Sequence, residues 1–287
     1  MNLQEALNEP NLIKIINDIK TASEKISIDF FGLGALARNV WYTENDEPAR
    51  GTKDIDFGVY VPDDKTYNLL KNLLVSEFDY QESSSNAFCL ISPYGTPVDL
   101  LPFGEIENQS KVMIDGKGLV SINLDGFTEV YKNGIRTVSI DGSDLKICSI
   151  PSMVLLKLIA YDDRPENRDK DPLDIASVLQ YYPNLESELI WNEYSFLYEE
   201  EEDMEHEEIG IITLGFEISN IIFNNKELID RVNNILDKAI NKDSNIAELM
   251  IQDHEKESVE LMIDKLKLLK RGIDEGIIKN NESEDSK

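Results

Sequence analysis

The sequence has 287 residues, of which 41% are hydrophobic, so it is long enough for one or two domains with cores of their own. Its 28 basic and 56 acidic residues give a net charge of −28, which argues against a long basic groove for duplex nucleic acid but leaves room for a local basic pocket that holds one nucleotide or one RNA end. The two histidines leave little for a mechanism that depends on a placed imidazole.

The N-terminal half alternates helix and strand patterns. Apolar residues at helical spacing predict a helix over residues 3–24, and further helices are predicted over 35–42 and 66–76, the last capped by Asp63 and Asp64. Alternating patterns predict strands over 27–31, 53–61, 87–92, 96–101, 137–140 and 145–149. A polar loop is expected over residues 43–50.

The C-terminal half has a helical pattern. Helices are predicted over residues 150–162, 171–181, 227–241 and 246–271, and the polar tail over 277–287 is expected to be disordered. A domain boundary is expected near residue 149, which gives domains over 1–149 and 150–276. The predicted fold class is therefore α+β, with a mixed sheet and flanking helices followed by a helical domain.

Two acidic residues lie one position apart in an apolar strand pattern. Because side chains alternate along a strand, Asp54 and Asp56 leave one face, whereas Ile55, Phe57 and Val59 leave the other. Two like charges on one face repel each other, and a divalent metal with oxygen ligands is the usual compensation. The alternative is an exposed edge strand with solvated acids.

A third acid and a glycine turn extend this pattern. Asp99 is a lone acid in a second strand, and if that strand lies beside residues 53–61, three carboxylates converge and can hold two metal ions for an in-line phosphoryl displacement. Gly32 and Gly34 lie between a predicted strand and a helix, whose N-terminus favours phosphate. The turn alone is equally compatible with tight chain reversal.

Lys157 is the single charge between Met153 and Tyr161 in an apolar helix, and Arg164 follows seven residues later on the same helical face. One interpretation is a contact to phosphate. The other is a structural ion pair with Asp171 or Asp174 on the next helix, and the sequence does not decide between them.

Cellular context follows from absences in the sequence. No apolar run is long enough to cross a bilayer, and the N-terminal stretch lacks the basic start and apolar centre of a signal peptide. Cys89 and Cys148 show no metal-ligand spacing and are expected to be reduced. We therefore expect a cytoplasmic protein with no membrane partner.

Four segments together resemble the polymerase-β-type nucleotidyltransferase superfamily. They are GLGALARNVW, TKDIDFGVYV, VDLLPFG and SMVLLKLIAYDDRPENRDKDPLDI. They are most similar to bacterial predicted nucleotidyltransferases related to the AbiEii/AbiGii abortive-infection toxins. The resemblance covers about residues 27–185 and implies a polymerase-β-like nucleotidyltransferase core over 1–149.

The resemblance also implies roles for individual residues. Asp54, Asp56 and Asp99 would bind two Mg²⁺ or Mn²⁺ ions, and Asp99 would be a proton acceptor for the attacking hydroxyl. The residues expected to bind the substrate are Gly32, Gly34, Thr52, Lys53, Lys157 and Arg164. Many relatives carry a Ser or Thr hydroxyl after the glycines, where this chain has Ala35.

The resulting hypothesis is an enzyme that transfers a nucleoside monophosphate from an NTP to an RNA end, a protein or a small molecule, and releases pyrophosphate. A toxin or phage-defence role, with a cognate antitoxin or partner protein, follows from the resemblance alone. One alternative is a non-catalytic nucleotide- or metal-binding regulatory module, in which the acidic stretch over 199–208 docks a basic partner instead of being a solvated helix face. Another is an aminoglycoside-type antibiotic nucleotidyltransferase.

Overall fold

The computed structural model describes residues 10–45, 47, 51, 53–107, 111–140, 142–200, 203–251 and 258–285. The chain divides into two compact units, Met1–Ser149 and Ile150–Lys287. The first unit contains the strands and the second is helical within the described residues. The α+β class predicted from the sequence, with a mixed sheet and then helices, is confirmed.

The first unit alternates helices with short strands. Its helices are α1 (Leu12–Lys25), α2 (Gly34–Glu44), α3 (Asp64–Glu77) and α4 (Phe127–Asn133). Its strands are β1 (Asp29–Leu33), β2 (Ile55–Tyr60), β3 (Gln81–Glu82), β4 (Cys89–Ile91), β5 (Pro97–Phe103), β6 (Lys111–Met113), β7 (Ser121–Asn123), β8 (Ile135–Ile140) and β9 (Ser143–Cys148). The predicted helix over 3–24 is observed from Leu12, and its first seven residues lie outside the described part of the chain.

Seven of the described strands form one mixed sheet in the order β3-β4-β5-β2-β1-β9-β8. The central strand β2 runs antiparallel to β1 and parallel to β5. The parallel pairing brings the start of β2 beside the start of β5, although about forty residues separate them in the sequence. Strands β6 and β7 form a separate antiparallel pair, which the sequence patterns did not predict.

Burial follows the predicted alternation along β2. Ile55, Phe57 and Val59 are fully buried, and Asp56 is half-buried. Helix α3 begins at Asp64, two residues before the predicted start, and the predicted cap Asp63 is present, because its side chain accepts a hydrogen bond of 2.8 Å from the Thr66 backbone N–H.

The second unit contains helices α5 to α12. They are α5 (Ile150–Asp163), α6 (Lys170–Leu185), α7 (Ser187–Glu193), α8 (Phe196–Glu200), α9 (His206–Ile222), α10 (Lys226–Ile240), α11 (Ile246–Leu249) and α12 (Val259–Asp285), with a short 3₁₀ turn at Pro165–Asn167. Helix α9 begins with a capping box in which Glu205 and Glu208 each accept a backbone N–H. Within the described ranges, no helix has both the length and the apolar character needed to cross a membrane.

Two sequence predictions in this unit are wrong. The single helix expected over 246–271 is instead the short α11 and the long α12, with residues 252–257 outside the described part. The tail expected to be disordered from residue 277 continues α12 as far as Asp285. Its polar composition suggested disorder, but tertiary contacts hold it, since Asn280 donates a 3.1 Å hydrogen bond to Asn220 and the Lys279 ammonium lies 4.3 Å from the Phe196 ring centroid.

Helices α9 and α12 approach each other at backbone distance. A methyl group at Gly272 would overlap the carbonyl oxygen of Ile212, and one at Gly276 would overlap the Ser219 hydroxyl. Glycine at these positions therefore permits the close packing that orders the C-terminal helix.

Candidate functional site

Three carboxylates meet at one end of the central strands. Asp56 on β2 and Asp99 on β5 are register partners, and Asp54 lies one residue before β2. Each of the three offers a carboxylate oxygen, and these oxygens all lie within 4.8 Å of one another. Asp54 is exposed, whereas Asp56 and Asp99 are half-buried. The convergence predicted from the sequence is therefore present in the structure.

The local sequence explains this arrangement. Ile55 and Phe57 are drawn into the core on one face of β2, so Asp56 must leave the opposite face. Val98 and Leu100, both fully buried, orient Asp99 in the same way on β5. The parallel pairing then places the two carboxylates side by side.

Gly34 brings a helix N-terminus to the same place. It is the first residue of α2 and has a φ of +61°, and a methyl group there would overlap the Oδ2 atom of Asp56. Leu33 at the N-cap of α2 makes no side-chain capping hydrogen bond, and the first turn of the helix contains no acid. The Asp56 carboxylate therefore lies against a helix end that favours negative charge. Gly32 has a packing role, since a methyl group there would overlap Leu36.

Two residues beside Asp99, Asn86 and Cys89, belong to the surroundings of the site and were not predicted from the sequence. Asn86 donates from Nδ2 to Asp99 Oδ1 at 3.3 Å, and Cys89 on β4 is the register partner of Asp99. Burial and then the Asp99 charge raise the pKa of the Cys89 thiol to about 12. Burial, again with a contribution from Asp99, raises the pKa of Tyr67, whose hydroxyl donates to the Leu100 carbonyl at 2.9 Å. Strand pairing could have indicated Cys89, but no sequence signal indicates Asn86.

The remaining predicted substrate-binding residues have different surroundings. Lys157 Nζ lies 2.8 Å from Asp171 Oδ1 and 2.7 Å from Asp174 Oδ2, so the structural ion pair is present with both acids. Its phosphate contact stays a prediction. Arg164 is half-buried just after α5 ends, and Lys53 is exposed immediately before the triad. Thr52 lies outside the described residues.

The donor set fits a hard divalent cation. Carboxylate oxygens are the ligands that Mg²⁺, Mn²⁺ and Ca²⁺ prefer, and three of them within one small volume repel each other unless positive charge compensates. We refer to Asp54, Asp56 and Asp99 below as the acidic triad.

Comparisons with known proteins give limited similarity. No family model matches the sequence, and no curated protein matches it significantly. A nucleotidyltransferase-like antigenic protein from Paracoccidioides brasiliensis is similar in structure, with 16% identity, a TM-score of 0.38, and coverage of 68% of this chain and 90% of that one. The antibiotic-resistance factor ANT(2'')-Ia has 11% identity, a TM-score of 0.36, and coverage of 68% and 99%. Likeness at these TM-scores does not establish a shared fold.

Proposed function

We propose that the protein is a metal-dependent nucleotidyltransferase of the polymerase-β type. The observation that carries this proposal is the acidic triad, gathered from two strands onto one sheet face beside the N-terminus of α2. The order of the glycine turn, the Asp-x-Asp strand and the third acid on the adjacent parallel strand supports the resemblance noted in the sequence.

The proposed reaction transfers a nucleoside monophosphate. An oxygen of the acceptor attacks the α-phosphorus of an NTP, the bond from that phosphorus to the bridging oxygen breaks, and pyrophosphate leaves. Asp99 is the proposed acceptor of the hydroxyl proton. Two Mg²⁺ or Mn²⁺ ions held by the triad would supply charge neutralisation for the triphosphate. The chain itself contributes mainly positioning, as is typical of phosphoryl transfer.

The proposed phosphate contacts come from backbone groups. Ala35 offers no hydroxyl, so N–H groups in the first turn of α2, from Gly34 onward, would hold the β- and γ-phosphates. Gly34 also keeps the backbone close to Asp56. Lys53, Thr52, Lys157 and Arg164 are further candidates for substrate binding.

The acceptor is proposed by class. A net charge of −28 favours a small cationic molecule or a basic protein over a long RNA, although one RNA end remains compatible with it. The AbiEii-related motifs support a toxin or phage-defence role with a partner protein. The same charge also favours the aminoglycoside alternative.

A labelling assay tests the proposal. The protein is incubated with each α-labelled NTP, Mg²⁺ or Mn²⁺, total RNA and lysate protein, with and without an aminoglycoside. We expect label on an acceptor, with loss of at least about 100-fold in Asp54→Asn, Asp56→Asn and Asp99→Asn if the ligands act as one unit. Asp64→Asn is the matched control, because Asp64 is an exposed acid in α3, past the opposite end of β2.

Each alternative has its own outcome in this assay. Bound NTP without transfer under any condition would replace the enzyme with the regulatory binding module. Label confined to the aminoglycoside would identify the antibiotic nucleotidyltransferase. Full transfer by Asp99→Asn would show that the triad does not carry the chemistry.

A further inference from the structure

Asn86 makes two hydrogen bonds that fix the orientation of its side-chain amide. Its Oδ1 atom accepts the Phe88 backbone N–H at 3.0 Å, two residues further on. Because the oxygen is engaged there, the NH₂ group must point the other way, where it lies 3.3 Å from Asp99 Oδ1. The amide NH₂ group therefore donates a hydrogen bond to a carboxylate of the acidic triad.

The chain around Asn86 is held from two sides. Buried Lys71 on α3 donates from Nζ to the Ala87 carbonyl at 2.9 Å. On the other side, the Ala87 N–H donates to the Leu119 carbonyl at 2.9 Å, and the Leu119 N–H donates to the Ser85 carbonyl at 3.0 Å. Asn86 is thus presented by a fixed backbone instead of a free loop.

A neutral donor suits this position. A lysine or arginine beside Asp99 would compete with a divalent cation for the same negative charge, whereas a fourth carboxylate would add repulsion. An amide restricts rotation of the Asp99 carboxylate and leaves its charge available. Groups that hydrogen-bond a metal-ligating carboxylate orient it, and their loss typically weakens metal binding by about 10–100-fold.

We infer that Asn86 is a positioning residue for the acidic triad, which orients the Asp99 carboxylate for divalent metal binding. This inference rests on the proposed function, since it assumes that the triad binds metal. It adds a residue outside the three carboxylates, and it predicts a loss of metal affinity in a protein that remains folded.

The test measures Mn²⁺ binding to the full-length chain by isothermal titration calorimetry without nucleotide. Asn86→Ser keeps a hydroxyl that can accept the Phe88 N–H but cannot reach Asp99, whereas Asn86→Ala removes both hydrogen bonds. Asn225→Ser is the matched control, because Asn225 caps α10 by accepting the Leu228 N–H at 3.1 Å and serine is also a good cap. Folding is checked by circular dichroism and thermal denaturation.

We expect Asn86→Ser and Asn86→Ala to weaken Mn²⁺ binding by about 10–100-fold, with Asn225→Ser equal to wild type. Thermal stability should fall further in Asn86→Ala than in Asn86→Ser, because only alanine abolishes the turn acceptor. If Asp99→Asn loses Mn²⁺ binding while both Asn86 variants bind it as tightly as wild type, the positioning role is refuted and the proposed function stands. If Asp99→Asn itself binds Mn²⁺ normally, the triad is not a metal site and both proposals fall.

Discussion

Replacing Lys157 with alanine removes the positive charge that lies between two nearly buried carboxylates. Lys157 Nζ is 2.8 Å from Asp171 and 2.7 Å from Asp174, and the side chains of the three residues are 17%, 9% and 14% exposed. In the variant, both negative charges would remain in a poorly solvated region of the helical unit without the lysine, and Asp171 would keep its longer 3.9 Å pairing with Arg168, whose side chain is 44% exposed. The substitution therefore tests whether the lysine is structural.

The expected loss of stability in Lys157→Ala follows from the burial of the ion pair. Removing one partner of a buried ion pair typically costs about 3–5 kcal/mol when the remaining charge is left desolvated and unpaired. Because Arg168 still lies 3.9 Å from Asp171, the expected loss in Lys157→Ala is at the lower end of that range, about 3 kcal/mol. Burial by itself lowers the pKa of Lys157, but the charges of Asp171 and Asp174 outweigh it and the net pKa is raised. This contribution to stability is complete below the ordinary lysine value of 10.5 and is lost as pH rises through the raised pKa, so the penalty should not vary near neutral pH.

The assay should report on the helical unit alone, because the two units need not unfold together. The chain contains two tryptophans, Trp41 in the first unit and Trp191 in the second. In a Trp41→Phe background, the fluorescence of Trp191 during urea denaturation gives the free energy of unfolding of the second unit for each variant.

Lys267→Ala is the matched control. Lys267 pairs with Asp264 at 2.8 Å, but the two side chains are 55% and 65% exposed, so the expected loss is about 0–1 kcal/mol. Neutralising Asp171 and Asp174 as asparagines in the Lys157→Ala chain should recover part of its loss. A Lys157→Ala chain as stable as Lys267→Ala would refute this reasoning, and a simultaneous fall in NTP affinity would then favour the phosphate contact.

Three further predictions concern packing and ionisation. Gly272→Ala should lower the free energy of unfolding, measured by urea denaturation, by about 1–3 kcal/mol or more, because its methyl group would overlap the backbone of the facing helix. Gly95→Ala is the control: its methyl group has open space around it, so the expected loss is only the backbone strain of about 1–2 kcal/mol. Burial by itself raises the pKa of Asp29, but hydrogen bonds, first of all from Lys146, outweigh it and the net pKa is lowered. Asp29→Asn should therefore destabilise the protein above about pH 4. In melting curves recorded at several pH values, the difference in stability from wild type should shrink as the pH falls through that lowered pKa. The pKa of the buried Cys89 thiol is raised to about 12, so Cys89 should resist alkylation by iodoacetamide at about pH 8 in the native protein and react after unfolding. Mass spectrometry measures the alkylation, and rapid reaction in the native protein would contradict the burial of Cys89.

Local pattern predicted the parts of the site that depend on strand geometry. Alternation along a strand is fixed by the backbone, so Ile55 and Phe57 in the core are sufficient to place Asp56 on the other face. From the sequence, Asp99 was expected to join the other two acids only if its strand paired with residues 53–61. The structure has that pairing, because β2 and β5 are parallel neighbours in which Asp56 is the register partner of Asp99.

Contacts between segments that are distant in the chain could not be predicted from the sequence. Asn86 gives no sequence pattern of its own, and the role we propose for it depends on backbone contacts that Lys71 and Leu119 make with its chain neighbours. Lys157 had two equally good interpretations until α6 brought Asp171 and Asp174 to its ammonium group. The tail was predicted from composition, which carries no information on whether a facing helix is available to pack against.

By itself, the amino-acid sequence determined the helices and strands with strong periodicity, the α+β class and the face on which each acid emerges, because these depend on neighbours within a few residues. The tertiary structure decided which strands lie side by side, which charges neutralise one another and where the last helix ends. Those outcomes depend on burial and packing between segments far apart in the chain, and their energies exist only once the chain has folded.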